Sequence, residues 1–108
     1  MAAYVDYVEA NLAGYRSLVR AAAGGNETLR GIYEDARTAL LERIFASDAL
    51  GEVIAETPAT RLVVRGWAAL AEETVLTWCD DPGGVSRDQV VALLTEGLPA
   101  LVASLPPD

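Results

Sequence analysis

Apolar residues recur at helical spacing along most of the chain, and no stretch alternates with the two-residue period of a strand. The longest such pattern runs from Thr57 to Asp81 and holds both tryptophans and the single cysteine. Its start carries helix signals, with Thr57 as N-cap and Pro58 at the first helical position. Its end carries a stop, Pro82, Gly83 and Gly84. At 3.6 residues per turn, Val63, Trp67, Leu70, Ala71, Thr74 and Trp78 share one broad side. Leu62, Ala69 and Leu76 recur every seven residues as a second, narrower stripe. Arg61, Arg65 and Glu72 are expected to form the wet strip between them. A helix in a small domain needs one buried face. Two predict that one packs on its own chain and the other on something else.

The flanking segments read in the same way. Residues 2–23 form either one long helix or two short ones that break near Asn11, and Gly24–Gly25 stops them. Tyr4, Val8, Leu12, Tyr15, Leu18, Val19 and Ala22 line the apolar side, opposite Asp6, Glu9, Arg16, Ser17 and Arg20. Asn26 caps a helix that runs to about Ala46, with Leu29, Ile32, Tyr33, Ala36, Leu40 and Ile44 inward. Residues 47–56 are less regular, and Leu50, Val53 and Ile54 could make a short helix there. Ser86 and Gln89 form a capping box for the last helix. Its main face is Val90, Val91, Leu94, Leu98, Leu101 and Leu105; a second face is Leu93, Gly97, Ala100 and Ser104. Pro99 is expected to kink it. The fold class is all-α, with four or five helices in a single domain spanning residues 1–108.

Composition narrows the chemistry. The net charge is −8, from 16 acids against 8 basic residues, all of them arginine. That balance weighs against nucleic-acid binding through this chain alone. There is no histidine, which removes the commonest general base and transition-metal ligand. The adjacent carboxylates Glu34–Asp35, Glu72–Glu73 and Asp80–Asp81 point in different directions on a helix, so they are poor acid/base pairs and read as solvated. Cys79 lies next to Asp80 and Asp81, which disfavour a thiolate. No catalytic residue, metal site or cofactor is expected, and the chain does not read as an enzyme. The N-terminus has no basic, apolar signal pattern and no run is long enough for a membrane span, so a cytoplasmic protein without membrane contact is expected.

Two stretches carry a resemblance. Residues 4–38 pass from an aromatic, acidic segment to Tyr15, Arg16 and Leu18. Residues 65–102 hold Gly66–Trp67 inside a long helix, Trp78 about 11 residues later, the loop Asp81-Pro82-Gly83-Gly84 followed by Ser86, and Leu93–Leu94. This order resembles the C-terminal domain of TetR-family transcriptional regulators. The basic helix-turn-helix domain that opens the family pattern is not matched anywhere in residues 1–108. The chain therefore reads either as an excised domain or as a protein without the DNA-reading part.

The resemblance implies a small-molecule effector site and a homodimer formed by the last two long helices. Tyr7, Tyr15, Tyr33, Trp67, Leu70 and Thr74 are the candidate lining of the effector site, suited to an apolar or aromatic molecule with one or two hydrogen-bonding groups. The dimer seam combines Leu62, Ala69 and Leu76 with Leu93, Gly97, Ala100 and Ser104, two helices from each partner making a four-helix bundle. The competing expectation is a ligand-free, acidic helical module that only dimerises, with the same aromatic rings filling its core.

Overall fold

Five α-helices, with no strand, make up the described residues, 2–46 and 55–106, of the computed structural model. They are α1 (Ala2–Ala10), α2 (Leu12–Ala23), α3 (Glu27–Ala46), α4 (Pro58–Asp80) and α5 (Arg87–Ala103). The chain is all-α. The short helix expected around Leu50, Val53 and Ile54 lies outside the described residues, as do the side chains of Leu40 and Ile44.

Of the two readings for residues 2–23, the broken one is observed. Asn11 donates both its backbone N–H and its Nδ2 to the Tyr7 carbonyl, each at 3.0 Å. The side chain competes with the helical ladder, which is why asparagine is a weak helix former. Gly25, at φ 90°, then turns the chain out of α2. Asn26 caps α3, its Oδ1 accepting from the Leu29 N–H at 3.0 Å.

Helix α4 begins with a reciprocal cap. The Thr57 hydroxyl accepts from the Thr60 N–H at 3.1 Å, and the Thr60 hydroxyl accepts from the Thr57 N–H at 2.8 Å. Ser86 and Gln89 make the expected box at the start of α5, at 3.1 and 2.9 Å. Between these helices the chain reverses on Gly83 and Gly84, both at positive φ. The Val85 N–H closes the turn on the Pro82 carbonyl at 2.9 Å, and the Trp78 Nε1–H donates to the Val85 carbonyl at 2.8 Å. Trp78 thus pins the loop, and the hairpin sends α5 back along α4. Halfway along it, the Trp67 Nε1–H reaches the Leu94 carbonyl at 3.0 Å. Helix α5 continues through Pro99 to Ala103.

The core centres on α4. Its buried stripe is Thr60, Val64, Trp67, Ala68, Ala71 and Val75, at unbroken three- and four-residue spacing. Val5 and Val8 from α1, Leu41 from α3, and Val90, Leu94 and Leu98 from α5 complete it. Helix α2 packs on α1 and α3. Thr60 is the one polar member of the buried stripe, and its hydroxyl is satisfied by donating to the Ala55 carbonyl at 2.6 Å.

Two face assignments need correction. The buried side of α4 is turned from the expected broad side: Val64, Ala68 and Val75 are inside, while Leu70 is 47% exposed. Helical spacing alone allowed either centre, because alanines and valines populate much of α4. On α3 the inward line is Tyr33, Arg37, Leu41 and Phe45, every fourth residue, whereas Ile32 is 53% exposed and Ala36 is exposed. The inward line includes an arginine, and apolar patterning passes over it.

Candidate functional site

Four helices converge on one carboxylate. Glu72, expected on the wet strip of α4, has a side chain only 14% exposed. This corrects the solvated reading, and the reason lies in its partners. Tyr15 of α2 donates its hydroxyl to Oε2 at 2.8 Å. Tyr33 of α3 lies 2.6 Å from both carboxylate oxygens. Arg37, one turn further along α3, pairs with Oε2 at 3.0 Å. Arg37 also donates to the Tyr33 hydroxyl, and its guanidinium lies over the Tyr33 ring, 4.8 Å from the centroid. Tyr4 of α1 joins through the Tyr15 hydroxyl at 3.0 Å. Since Tyr15 spends its proton on Glu72, Tyr4 is the donor in that bond. A buried carboxylate is tolerated when paired and multiply hydrogen-bonded, and Glu72 has both kinds of support.

The rings reinforce the cluster. Tyr4 and Tyr7 both meet Tyr15 edge to face, with centroids 6.5 and 6.4 Å apart. Burial raises the Tyr15 hydroxyl pKa well above its ordinary value, and the bonds to Tyr4 and Glu72 raise it further. Burial and then Glu72 do the same for Tyr33. Burial raises Tyr4 too. All three hydroxyls stay protonated at neutral pH and act as hydrogen-bond donors, with no base among them. The Cys79 thiol is also pushed up, first by burial and then by the charge of Glu9. Asp80, one of the two aspartates expected to disfavour the thiolate, adds a smaller push in the same direction.

The six candidate lining residues fall into two groups. Tyr15 and Tyr33 belong to the Glu72 cluster, and Tyr7, 57% exposed, sits on its outer edge. Trp67, Leu70 and Thr74 lie across the buried stripe of α4 from Glu72: Trp67 is buried and bound to Leu94, Thr74 is half-buried and Leu70 is exposed. The stripe of Val64, Ala71 and Val75 stands between the groups. Reasoning from the sequence passed over Glu72, Arg37 and Tyr4 as site residues. A signal was present in the four-residue spacing of Tyr33, Arg37, Leu41 and Phe45, which puts Arg37 on an otherwise apolar line.

Of the candidate seam residues, Leu62, Ala69, Leu93, Ala100 and Ser104 are exposed, and Leu62 and Leu93 markedly so at 73% and 58%. Gly97 is half-buried. Leu76 is half-buried against the core, and its carbonyl accepts from Arg16 of α2 at 3.4 Å. A cavity of about 240 Å³ opens between α3 and α4, lined by Leu41, Phe45, Pro58, Arg61, Leu62 and Arg65. Its arginines are engaged with glutamates, Arg61 with Glu42 and Glu56, Arg65 with Glu34. None of the six candidate lining residues borders it.

The geometry is that of a helical domain with a polar tie on one side of its central helix and bare apolar residues on the other. Residues 1–101 match the family described as the Tetracyclin repressor-like, C-terminal domain. The chain belongs to that family. Domains of this TetR-like kind serve regulators, generally binding small effectors and dimerising. No curated protein and no solved structure matches the chain. Among the described residues, no helix is long and apolar enough to cross a membrane.

Proposed function

We propose that this chain is the homodimerising, effector-binding domain of a TetR-like regulator, working in the cytoplasm without itself contacting DNA. The observation that carries the dimer is the set of large apolar side chains left bare on two adjacent helices: Leu62 and Leu70 on α4, Leu93 and Leu101 on α5. Isolated exposed leucines are ordinary, but four on one helical hairpin form a surface that water disfavours. Small residues beside them, Gly66 and Ala69 on α4 and Gly97 and Ala100 on α5, let a second hairpin approach closely. The same patch on each copy makes the contact isologous.

The effector side of the reading rests on the flank of α4 that faces α2 and α3. Tyr7, Tyr15 and Tyr33 offer aromatic surface there, with Glu72 beneath. An effector that repositions this flank acts on the rigid helix that also carries the exposed Leu62, Ala69 and Leu70. It thereby reaches the dimer through one element. Trp67, and Leu70 and Thr74 beside it, would then report the shift through the α4–α5 packing.

Sedimentation velocity tests the dimer: the reading expects a dimer at micromolar concentration, reduced to a monomer by Leu93→Arg. A wild-type monomer at that concentration overturns it. Thermal shift with a panel of aromatic compounds tests the effector site. The second reading, a dimerisation module without a ligand, is favoured by one observation. Among the described residues, no buried side-chain polar atom lacks a hydrogen-bond partner. It predicts a dimer whose melting temperature no compound in the panel moves.

A further inference from the structure

We propose that the Glu72 cluster is a binding site for flat organic cations, in which the guanidinium of Arg37 occupies the cation position until a ligand replaces it. The inference rests on the effector reading above and names the chemical class of that effector. Its grounds are geometric. The cluster holds two features that recognise a planar cation: a carboxylate shielded from water and an aromatic face beside it. Arg37 engages both at once, pairing with Glu72 Oε2 at 3.0 Å while lying over the Tyr33 ring at 4.8 Å. A planar amidinium or guanidinium carried by a ligand could make the same two contacts.

The surroundings suit an exchange of this kind. The Arg37 side chain is 16% exposed, at the edge of the cluster, so its long stem has a route toward solvent. Tyr15 and Tyr33 are fixed by their own bonds to Glu72 and would stay as donors to it. Tyr7, bare and set edge-on to Tyr15, extends the aromatic surface outward for the rest of the ligand. Neutral and anionic compounds are disfavoured at the centre: neither can replace the charge that Glu72 loses when Arg37 leaves. The chain's net charge of −8 also draws cations from solution.

Calorimetric titration of the full chain with benzamidine, an aromatic amidinium, is the test, with neutral benzamide as its isosteric control. The expected result is saturable binding of benzamidine and none of benzamide. Arg37→Gln removes the competing internal cation and should tighten binding at least about tenfold, since a charge-assisted bond no longer has to be broken. Glu72→Gln should abolish it. Should Arg37→Gln fail to fold, wild type and Glu72→Gln decide: equal binding by both, or none by wild type, overturns the proposal. Equal affinity in wild type and a folded Arg37→Gln does the same. Sedimentation of the same samples reads the dimer separately. A dimer that neutral aromatic compounds stabilise, with no benzamidine binding, therefore sinks the cation site and leaves the broader reading standing.

Discussion

The two flanks of α4 solve opposite problems. On the side of α2 and α3, Glu72 is enclosed and answered by Tyr15, Tyr33 and Arg37, with Tyr4 behind them. On the outer side Leu70 stands bare, continued on α5 by Leu93, while Leu62 is exposed at the rim of the α3–α4 cavity. A polar group has been taken out of water where it is paired, and apolar groups have been left exposed where nothing among the described residues covers them. The first carries a desolvation cost that the Arg37 pair and the tyrosine bonds offset within the chain. The second is a standing cost, about 25 cal/mol for each Å² of apolar surface, that a second copy would remove. The contrast fits the proposal above: the inner flank ties helices together around the carboxylate proposed to anchor the effector, and the outer one is the surface proposed for association.

The comparison breaks most visibly at Glu72. Glu72→Ala leaves Arg37 and two tyrosine hydroxyls without their acceptor in a largely enclosed place. The expected loss is about 3 kcal/mol of unfolding free energy in urea. A loss under about 1 kcal/mol would mean the carboxylate is solvated and the inner flank is not specially tied. Leu93→Arg probes the outer flank. It should weaken the dimer by about 2 kcal/mol, or roughly thirtyfold in dissociation constant by sedimentation. The stability of the isolated monomer should change by no more than about 0.5 kcal/mol, because the side chain is already in water. If instead the monomer is destabilised with no effect on association, the two flanks have been assigned the wrong way round. Smaller still, Tyr33→Phe keeps the ring under Arg37 and removes one donor to Glu72. About 1 kcal/mol should be lost in urea unfolding, and a change near zero would show that the Arg37 pair alone holds the carboxylate.

The same comparison shows what could be read from the chain alone. Helix ends were legible because caps are local: Asn26, Thr57, Ser86 and the glycines at 83–84 act within three residues of themselves. The stripe of Leu62, Ala69 and Leu76 was only partly legible: Leu62 and Ala69 are exposed, whereas Leu76 turns in against the core, because a seven-residue repeat drifts around a helix of 3.6 residues per turn. Glu72 was not legible. Its partners lie 57, 39 and 35 residues away, on helices whose rotation patterning left ambiguous. Turning α3 from an Ile32 face to a Leu41 face is what brings Tyr33 and Arg37 inward. The observed line carries Arg37 where the expected face carried Ala36, so apolar periodicity points away from it. Trp67 was placed correctly as an inward residue and wrongly as a neighbour of Tyr15, because a residue's face on its own helix does not say which helix arrives there.

Alkaline pH sharpens the inner flank without any substitution. Tyr15 and Tyr33 titrate at 10.0 in the unfolded chain, and burial together with Glu72 raises both in the folded one. Raised folded values mean that the folded state holds these protons more tightly than the unfolded state. Their contribution is therefore whole below pH 10 and is lost as pH rises beyond it, when the unfolded hydroxyls ionise and the folded ones do not. Urea midpoints should fall between pH 9.5 and about 11, at an ionic strength high enough to screen the general repulsion of an acidic chain. Tyr15→Phe and Tyr33→Phe should each flatten that fall. A fall as steep in both variants as in the wild type would place the alkaline sensitivity outside the Glu72 cluster. It would then lie in the net charge of the whole chain.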